Sequence, residues 1–423
     1  MPRAPRRAGG APLPRAGPAL ALLLALVLAP APARAEIPIY EGETVRFGVG
    51  GYVRTLSGVQ LTAIEDIPGV AEVPPTLGLS QTITRLEWKL DLGRDVTLEV
   101  HNRLALTVTS AELPAGGGLG AGVTRAPPRS LDLRSVLADE PGLLLDHDLD
   151  RLLVRARLGD VDLVVGRQAI SWGTSILFQV ADAWAAFSPF DLDTSQKRGL
   201  DALRVSAPIG DGLVLDAVIA DRGSVEDLSG GVRLVAYLDQ ADVHVGLAKQ
   251  WRQLAAMAGV SFAFDTTKLR GEVWGAWDAG EEAWELPRAT LGFDWFSGDL
   301  TLMFEAHYNG AGTDDPDAYL AHAGTSRHLA RGEVYLLGRY YLGAAARYLL
   351  LPDLELGLSV MMNLLDPSAL LTTTLRYDIA ENVDLVLGAF NGLGAGGDLA
   401  AGRLGSELGS YGHLVFAQLA AFF

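Results

Sequence analysis

Segments of about ten residues, apolar on one parity and charged on the other, recur almost without interruption along this chain. In 81–91, Leu86, Trp88 and Leu90 share one parity, and Arg85, Glu87 and Lys89 share the other. In 95–108, Val96, Leu98, Val100, Leu104 and Leu106 oppose Thr97, Glu99, His101, Arg103 and Thr107. Leu152, Val154, Ala156 and Leu158 oppose Arg151, Arg155 and Arg157, and Leu300, Leu302, Phe304 and Ala306 oppose Glu305 and His307. Because side chains alternate faces along a strand, each segment carries one charged and one apolar face. On the lipid face of a barrel an arginine at the bilayer midplane costs roughly 2–4 kcal/mol, so so many charges must face inward. A polar interior inside an apolar exterior inverts a soluble sandwich. The expectation is an all-β chain folded as a transmembrane antiparallel up-and-down β-barrel.

The segments are 44–54, 81–91, 95–108, 149–158, 161–171, 200–207, 212–220, 230–238, 241–249, 255–264, 268–278, 288–296, 299–309, 334–350, 354–363, 369–379, 383–390 and 411–423, which predicts about 18 strands. An even number returns both termini to one side of the membrane. Connections alternate between short turns, such as Gly159-Asp160 and Ser297-Gly298, and long loops at 55–80, 109–148, 172–199, 310–333 and 391–410. At 16–18 strands the interior is too wide for side chains to fill and holds water. The aromatic loop 172–199 carries Trp172, Phe178, Trp184, Phe187 and Phe190 and is expected to fold into that space, since exposing so many rings would leave a sticky patch.

Residues 1–35 read as a signal peptide: Arg3, Arg6, Arg7 and Arg15 precede an apolar run, and Ala33-Arg34-Ala35 is a small-x-small cleavage site. The barrel is therefore assigned to residues 36–423. Removing the five arginines of the segment takes the formal charge from −17 to −22, which argues against a nucleic-acid partner. Cysteine is absent, so disulfides, a lipoprotein anchor and thiolate metal sites are excluded. After residue 35 no stretch is long and apolar enough to span a bilayer as a helix. The seven histidines show no short metal-binding spacing, and G-x-S-x-G and P-loop motifs are absent, so neither an enzyme nor a cofactor is expected. A large soluble secreted β protein is the rival reading.

The last segment, Tyr411 to Phe423, alternates to a terminal aromatic. It resembles the closing strand of Gram-negative outer-membrane barrels, where such a Phe serves as the signal read by the assembly machinery; Phe423 takes that role here by resemblance. The run Gly166-Arg167-Gln168-Ala169-Ile170-Ser171-Trp172-Gly173, with Asp182, Ser188-Pro189-Phe190-Asp191, Asp193 and Lys197-Arg198-Gly199, resembles porin-like barrels related to the alginate-export family, as does Gly405-Ser406-Glu407-Leu408-Gly409. The resemblance implies an outer-membrane channel of about 18 strands with one loop folded into the lumen.

Parity assigns a pore lining of Arg46, Arg54, Arg85, Lys89, Arg103, Arg151, Arg155, Arg157, Arg204, Asp216, Glu272, Asp294, Glu305, Arg339, Arg347 and Arg376. The cations gather in the first six and last strands and the acids in strands seven to thirteen, so a basic wall is expected to face an acidic one. Local cross-strand pairing is the alternative for the same residues. The constriction set is Arg167, Trp172, Asp182, Asp191, Asp193 and Lys197; Asp191-x-Asp193 reads as an Asx turn in preference to a calcium site. Together these features read as a passive channel for small hydrophilic solutes, with a dedicated route for an anionic polysaccharide or other specific anion as the alternative. Its partners are outer-membrane lipid, the assembly machinery and the solutes themselves.

Overall fold

The computed structural model describes residues 36–65, 74–111, 128–188, 196–399 and 402–423. Eighteen long strands follow one another around a closed antiparallel barrel. In chain order they are β1 Val45–Leu61, β2 Thr76–Leu92, β3 Val96–Thr109, β4 Leu143–Leu158, β5 Val161–Gln168 and β6 Leu200–Pro208. β7 Leu213–Ala220, β8 Ser229–Tyr237, β9 Ala241–Gln250, β10 Gln253–Phe264, β11 Thr267–Asp278 and β12 Arg288–Ser297 continue the wall. β13 Leu300–Asn309, β14 Tyr340–Leu351, β15 Leu354–Asn363, β16 Ser368–Ala380, β17 Val383–Leu393 and β18 His413–Phe422 complete it. β18 pairs with β1 from Tyr52↔Phe422 to Leu61↔His413, which removes the exposed edges an open sheet would carry.

Closure leaves one gap. β18 ends opposite Gly51, where Phe423 exchanges two backbone hydrogen bonds with that glycine (2.9 and 3.0 Å). Beyond it the β18-side edge of β1 is covered by the N-terminal segment Ile37–Glu41, which pairs Ile37 with Val49 and Glu41 with Arg46. The sequence reading missed this short strand.

The outer face is apolar, with Leu247, Leu291 and Val415 exposed to 66, 70 and 64%. Rings sit near its two margins. Trp277 packs on Trp284 (5.6 Å) and Tyr308 on Tyr340 (5.4 Å) on the long-loop side, and Phe47 stacks on Trp88 (5.9 Å) on the short-turn side. This is the banded surface of a membrane barrel. Among the described residues no helix is long and apolar enough to cross a membrane.

Three strands run beyond their expected ends. β1 continues to Leu61 and β2 begins at Thr76, because the outward positions Thr55, Ser57, Ser80 and Thr82 are hydroxyls that interrupt the apolar parity. Thr55 and Thr82 satisfy each other at 3.0 Å and Ser57 and Ser80 at 2.9 Å. β4 starts at Leu143, six residues early, and a bulge at Asp150 shifts the parity between its halves, so Asp146, Asp148 and Asp150 join the same inner face as Arg151. Conversely, the expected strand 334–350 begins at Tyr340. The connection before it folds into α1 Tyr319–Thr325 and α2 Arg327–Arg331; Ser326 caps α2, and Gly332 closes it at φ 69°.

Candidate functional site: a loop seated on a charged inner wall

The described residues of the connection between β5 and β6, 169–188 and 196–199, lie inside the barrel. Ile170, Trp172, Val180, Ala181, Ala183 and Trp184 pack against Val218, Ala220, Ala248, Ala255, Met257, Trp274 and Ala276 of the inner wall. Small wall residues make room for it. A Cβ at Gly231 would stand 3.1 Å from the Trp172 ring, and one at Gly343 would stand 2.7 Å from Leu177. Further along, Phe178 packs on Leu336, Tyr341 and Leu408, so the loop also meets the connections before β14 and before β18.

Two wall carboxylates fasten the loop. Glu305 on β13 accepts the backbone N–H groups of Ile176, Leu177 and Phe178 at 2.8–2.9 Å. Glu272 on β11 accepts Thr174 N–H, Ser175 N–H (2.9 Å), Val180 N–H (3.2 Å), Ala181 N–H (3.1 Å) and the Thr174 hydroxyl (2.8 Å). An irregular segment buried in a barrel must satisfy its backbone somewhere, and here acceptor side chains replace a sheet partner. Arg270 closes the arrangement, 2.6 Å from Glu305 and 2.6 Å from Asp294.

Two of the loop's charges neutralise each other. Asp182 pairs with Lys197, and Ser171 Oγ bridges them at 3.0 and 3.1 Å. Burial pulls the Lys197 ammonium below the ordinary lysine range, against the attraction of Asp182. Trp172 is 1% exposed; its Nε1 donates to Asp216 (3.0 Å), and its ring meets Trp184 edge-on at 5.0 Å. Arg167 is the penultimate residue of β5 and not part of the loop. It is buried, bonded to Asp201 (2.7 Å) and to the carbonyls of Leu131 (2.6 Å) and Leu149 (2.9 Å). Asp191 and Asp193 lie outside the described residues.

The inner-wall residues divide into two sets. Asp216, Glu272, Asp294 and Glu305 are buried; Asp216 is held by Arg204 (2.8 Å) and Arg233 (3.2 Å), Asp294 and Glu305 by Arg270, and Glu272 by the loop's donors, so the expected acidic wall is covered and does not face open water. Arg85 is buried against Asp150 (2.6 Å) and Glu87 (2.8 Å), Arg151 against Asp150 (3.2 Å), and Arg54 lies over the Tyr52 ring at 5.2 Å. Arg103 stands 3.6 Å from Asp146, a partner hidden from the sequence reading by the β4 bulge. Arg339 reaches Asp314 (2.6 Å) in the connection before β14. Toward the short turns the picture changes. Arg46, Arg157, Arg347 and Arg376 remain 67, 61, 59 and 51% exposed although Asp91, Asp162, Glu355 and Asp378 lie within 4 Å of them in turn. Lys89 is also half-exposed beside Asp91. Arg155 is exposed and, among the described residues, has no ion-pair partner.

On the long-loop side, His328 of α2 sits between Glu285 (3.5 Å) and Glu333 (2.7 Å), and Arg327 reaches Glu285 (2.6 Å) and Asp278 (2.7 Å). Burial opposes charge here, yet the His328 and Arg327 contacts hold Glu285 down to about 2. The same carboxylates raise His328. Nothing in the sequence pattern signals this cluster, because helix and turn meet only through the barrel's register.

An antiparallel barrel of eighteen strands is an architecture shared with outer-membrane porins. The solved structures it resembles include OccAB4 of Acinetobacter baumannii, at 9% identity and a TM-score of 0.53, matching 88% of this chain and 98% of that one. OpdK of Pseudomonas aeruginosa with vanillate matches at 10%, TM-score 0.52, over 89 and 98%. A BenF-like porin from Pseudomonas fluorescens Pf-5 matches at 11%, TM-score 0.54, over 89 and 98%. No family model matches the chain, and no curated protein matches it by sequence. The alginate-export resemblance is not supported by these neighbours. The described residues behind it have local work instead: Arg167 ties the ends of β5 and β6 through Asp201, Trp172 seats the loop, and Glu407 accepts hydrogen bonds at a loop junction.

Proposed function

We propose that the chain is an outer-membrane channel through which small hydrophilic solutes pass down their gradients. The observation that carries this reading is the half-exposed set of inward-facing charges, Arg46, Arg157, Arg347 and Arg376 with Lys89 and Arg155, beneath the seated loop. Side chains that stay so exposed inside a barrel border water. The buried ion pairs above them are wall struts, and the loop they support narrows the water-filled space. Arg155, which has no ion-pair partner among the described residues, raises the local concentration of anions, so small anions are favoured over cations. Vanillate, the molecule named with OpdK, is a carboxylate of this size class. A dedicated route for an anionic polymer would need a longer run of unpaired cations, and most cations here have acids beside them.

Residues 1–35 direct export and are removed after Ala35, and Phe423 is the mark read during assembly. Purified protein reconstituted into planar bilayers tests the channel reading. Stepwise conductance with a reversal potential on the anion-selective side is expected. A barrel that inserts and passes no current would refute it.

A further inference from the structure

Three guanidiniums meet on the long-loop side with too few acids to balance them. Arg222, in the connection between β7 and β8, is 3% exposed, and Arg288, the first residue of β12, is 5% exposed. Among the described residues no carboxylate stands within 4 Å of either. Arg331, at the end of α2, reaches one, Glu333, at 3.6 Å. Indoles stand where acids would be expected. The Trp251 ring carries Arg222 at 4.5 Å and Arg331 at 4.8 Å, and the Trp274 ring lies 5.3 Å from Arg288. Nearby acids are committed elsewhere. Glu333 bonds His328 (2.7 Å), Glu285 serves Arg327 and Gln253, and Asp221 accepts from Ser130 and Gly223. Donors are left over as well. Arg222 Nε, Gln250 Nε2, Trp274 Nε1 and Arg331 Nη1 are buried without a hydrogen-bond partner, against two such acceptors, Gln253 Oε1 and Glu333 Oε1. Arg222 Nη2 bonds Gln250 (3.0 Å), Gln250 pairs with Gln253, and Arg288 donates to the Glu333 carbonyl (3.3 Å). These groups therefore share one junction, where α2 meets the long-loop ends of β9–β12.

We propose that this junction binds a small, doubly charged oxyanion of the phosphate class, which ties α2 to the β7–β8 and β9–β10 connections. Water would satisfy the unbonded donors, but it would leave three guanidiniums against one carboxylate, an excess of two charges. Buried charges are stable only when paired, so the excess calls for an anion and not for water alone. A monocarboxylate offsets half of it, and a phosphate dianion offsets all of it. Guanidiniums hold phosphate oxygens with pairs of parallel N–H groups. Stacking on an indole fixes a guanidinium by its face and leaves its N–H edge to the ligand. Burial pulls Arg222 down to about 10, so it still carries its charge at neutral pH. The cations near the short turns differ in kind, because they are exposed and water screens them. The site does not depend on whether the barrel passes current.

The test uses the full-length barrel refolded in a phosphate-free detergent at about pH 8 and about 0.15 M sodium chloride, where exposed charges are screened over about 8 Å and buried ones much less. Inorganic phosphate titrated by calorimetry should bind saturably, once per chain, and raise the unfolding temperature as its concentration rises. Sulfate should compete with it, and acetate at equal concentration should not. Arg222→Gln should weaken binding by about tenfold or more, the scale of a lost bond to a charged group. Arg252→Gln, a neighbouring exposed cation beside Glu226, should leave the affinity unchanged. If Arg222→Gln does not fold, Arg331→Gln, at a side chain 23% exposed, carries the same expectation. Unaltered affinity in the folded variant, or acetate binding as tightly as phosphate, overturns the proposal. A second arm separates a free ion from a lipid headgroup, by comparing vesicles of phosphatidylglycerol with vesicles of a phosphate-free galactolipid. If inorganic phosphate does not bind, but phosphatidylglycerol alone raises the unfolding temperature and Arg331→Gln abolishes the rise, the site takes a headgroup phosphate. Absence of both effects overturns the site. Neither arm reads current, so a silent barrel that binds phosphate defeats the channel reading alone, and a conducting barrel that binds none from either source defeats the site alone.

Discussion

At the scale of the residue, the inner wall illustrates how buried charge is tolerated in a barrel. Glu305 has no water to face, and it is stabilised by three backbone N–H groups of the loop and by Arg270. Removing it leaves a buried guanidinium short of an anion and three donors without acceptors. Glu305→Ala is therefore expected to destabilise the barrel by about 3–5 kcal/mol, the range for breaking a buried ion pair. Urea unfolding in lipid vesicles measures it, and a loss below 1 kcal/mol would mean that the loop is held by its apolar face alone. Glu305→Gln keeps a carbonyl acceptor and should fall between the two. Parity alone placed Glu305 and Glu272 on the inner wall. That they serve a loop more than a hundred residues away in sequence for Glu305, and nearly as far for Glu272, was not legible, because a backbone N–H carries no residue-type signal.

At the scale of the element, all eighteen strands were legible because each keeps a period of two against a single solvent contrast. Where the contrast fails, so does the reading. Thr55, Ser57, Ser80 and Thr82 put hydroxyls on the outer face and hid the upper ends of β1 and β2, and the Asp150 bulge hid half of β4. The fold of the β5–β6 connection into the barrel was legible from its aromatics, but its seating on Glu272 and Glu305 was not. That seating yields a prediction. Excising residues 174–181 should raise single-channel conductance by widening the passage. It should also shift selectivity toward cations, since Glu272 and Glu305 would lose their donors and face water; a higher conductance with unchanged selectivity would mean that Arg270 and its neighbours neutralise them unaided. The closing strand offers a second test. Deleting Phe423 removes both backbone bonds to Gly51 while leaving Tyr52↔Phe422 and the rest of the seam paired. Amounts in the outer membrane should fall several-fold while the protein refolded in detergent keeps its heat-modifiable mobility, and normal amounts in the membrane would remove Phe423 from the assembly signal.

At the scale of the whole molecule, the barrel separates its charges by cover. Against the seated loop, cations and acids are buried in pairs and fasten it, as in Arg270–Glu305 and Lys197–Asp182. Toward the short turns, Arg46, Arg157, Arg347 and Arg376 stay in water. Buried pairs are fixed dipoles with little reach, whereas exposed charges act on mobile ions over a Debye length, about 8 Å at physiological salt and about 30 Å at 0.01 M. Selectivity should therefore come from the exposed set and vanish as salt screens it. Arg155→Gln with Arg157→Gln removes two of its cations from one strand, including the one with no ion-pair partner among the described residues. The double variant should lose most of its anion preference in a tenfold KCl gradient at 0.01–0.1 M and match the unaltered protein at 0.1–1 M. Arg85→Gln or Arg151→Gln should instead leave the reversal potential near its original value and lower stability, because each removes a partner from buried Asp150. If the buried pair governs the reversal potential and the exposed pair does not, the current runs through the strut region along a different path, and the division of labour between covered and open wall is wrong.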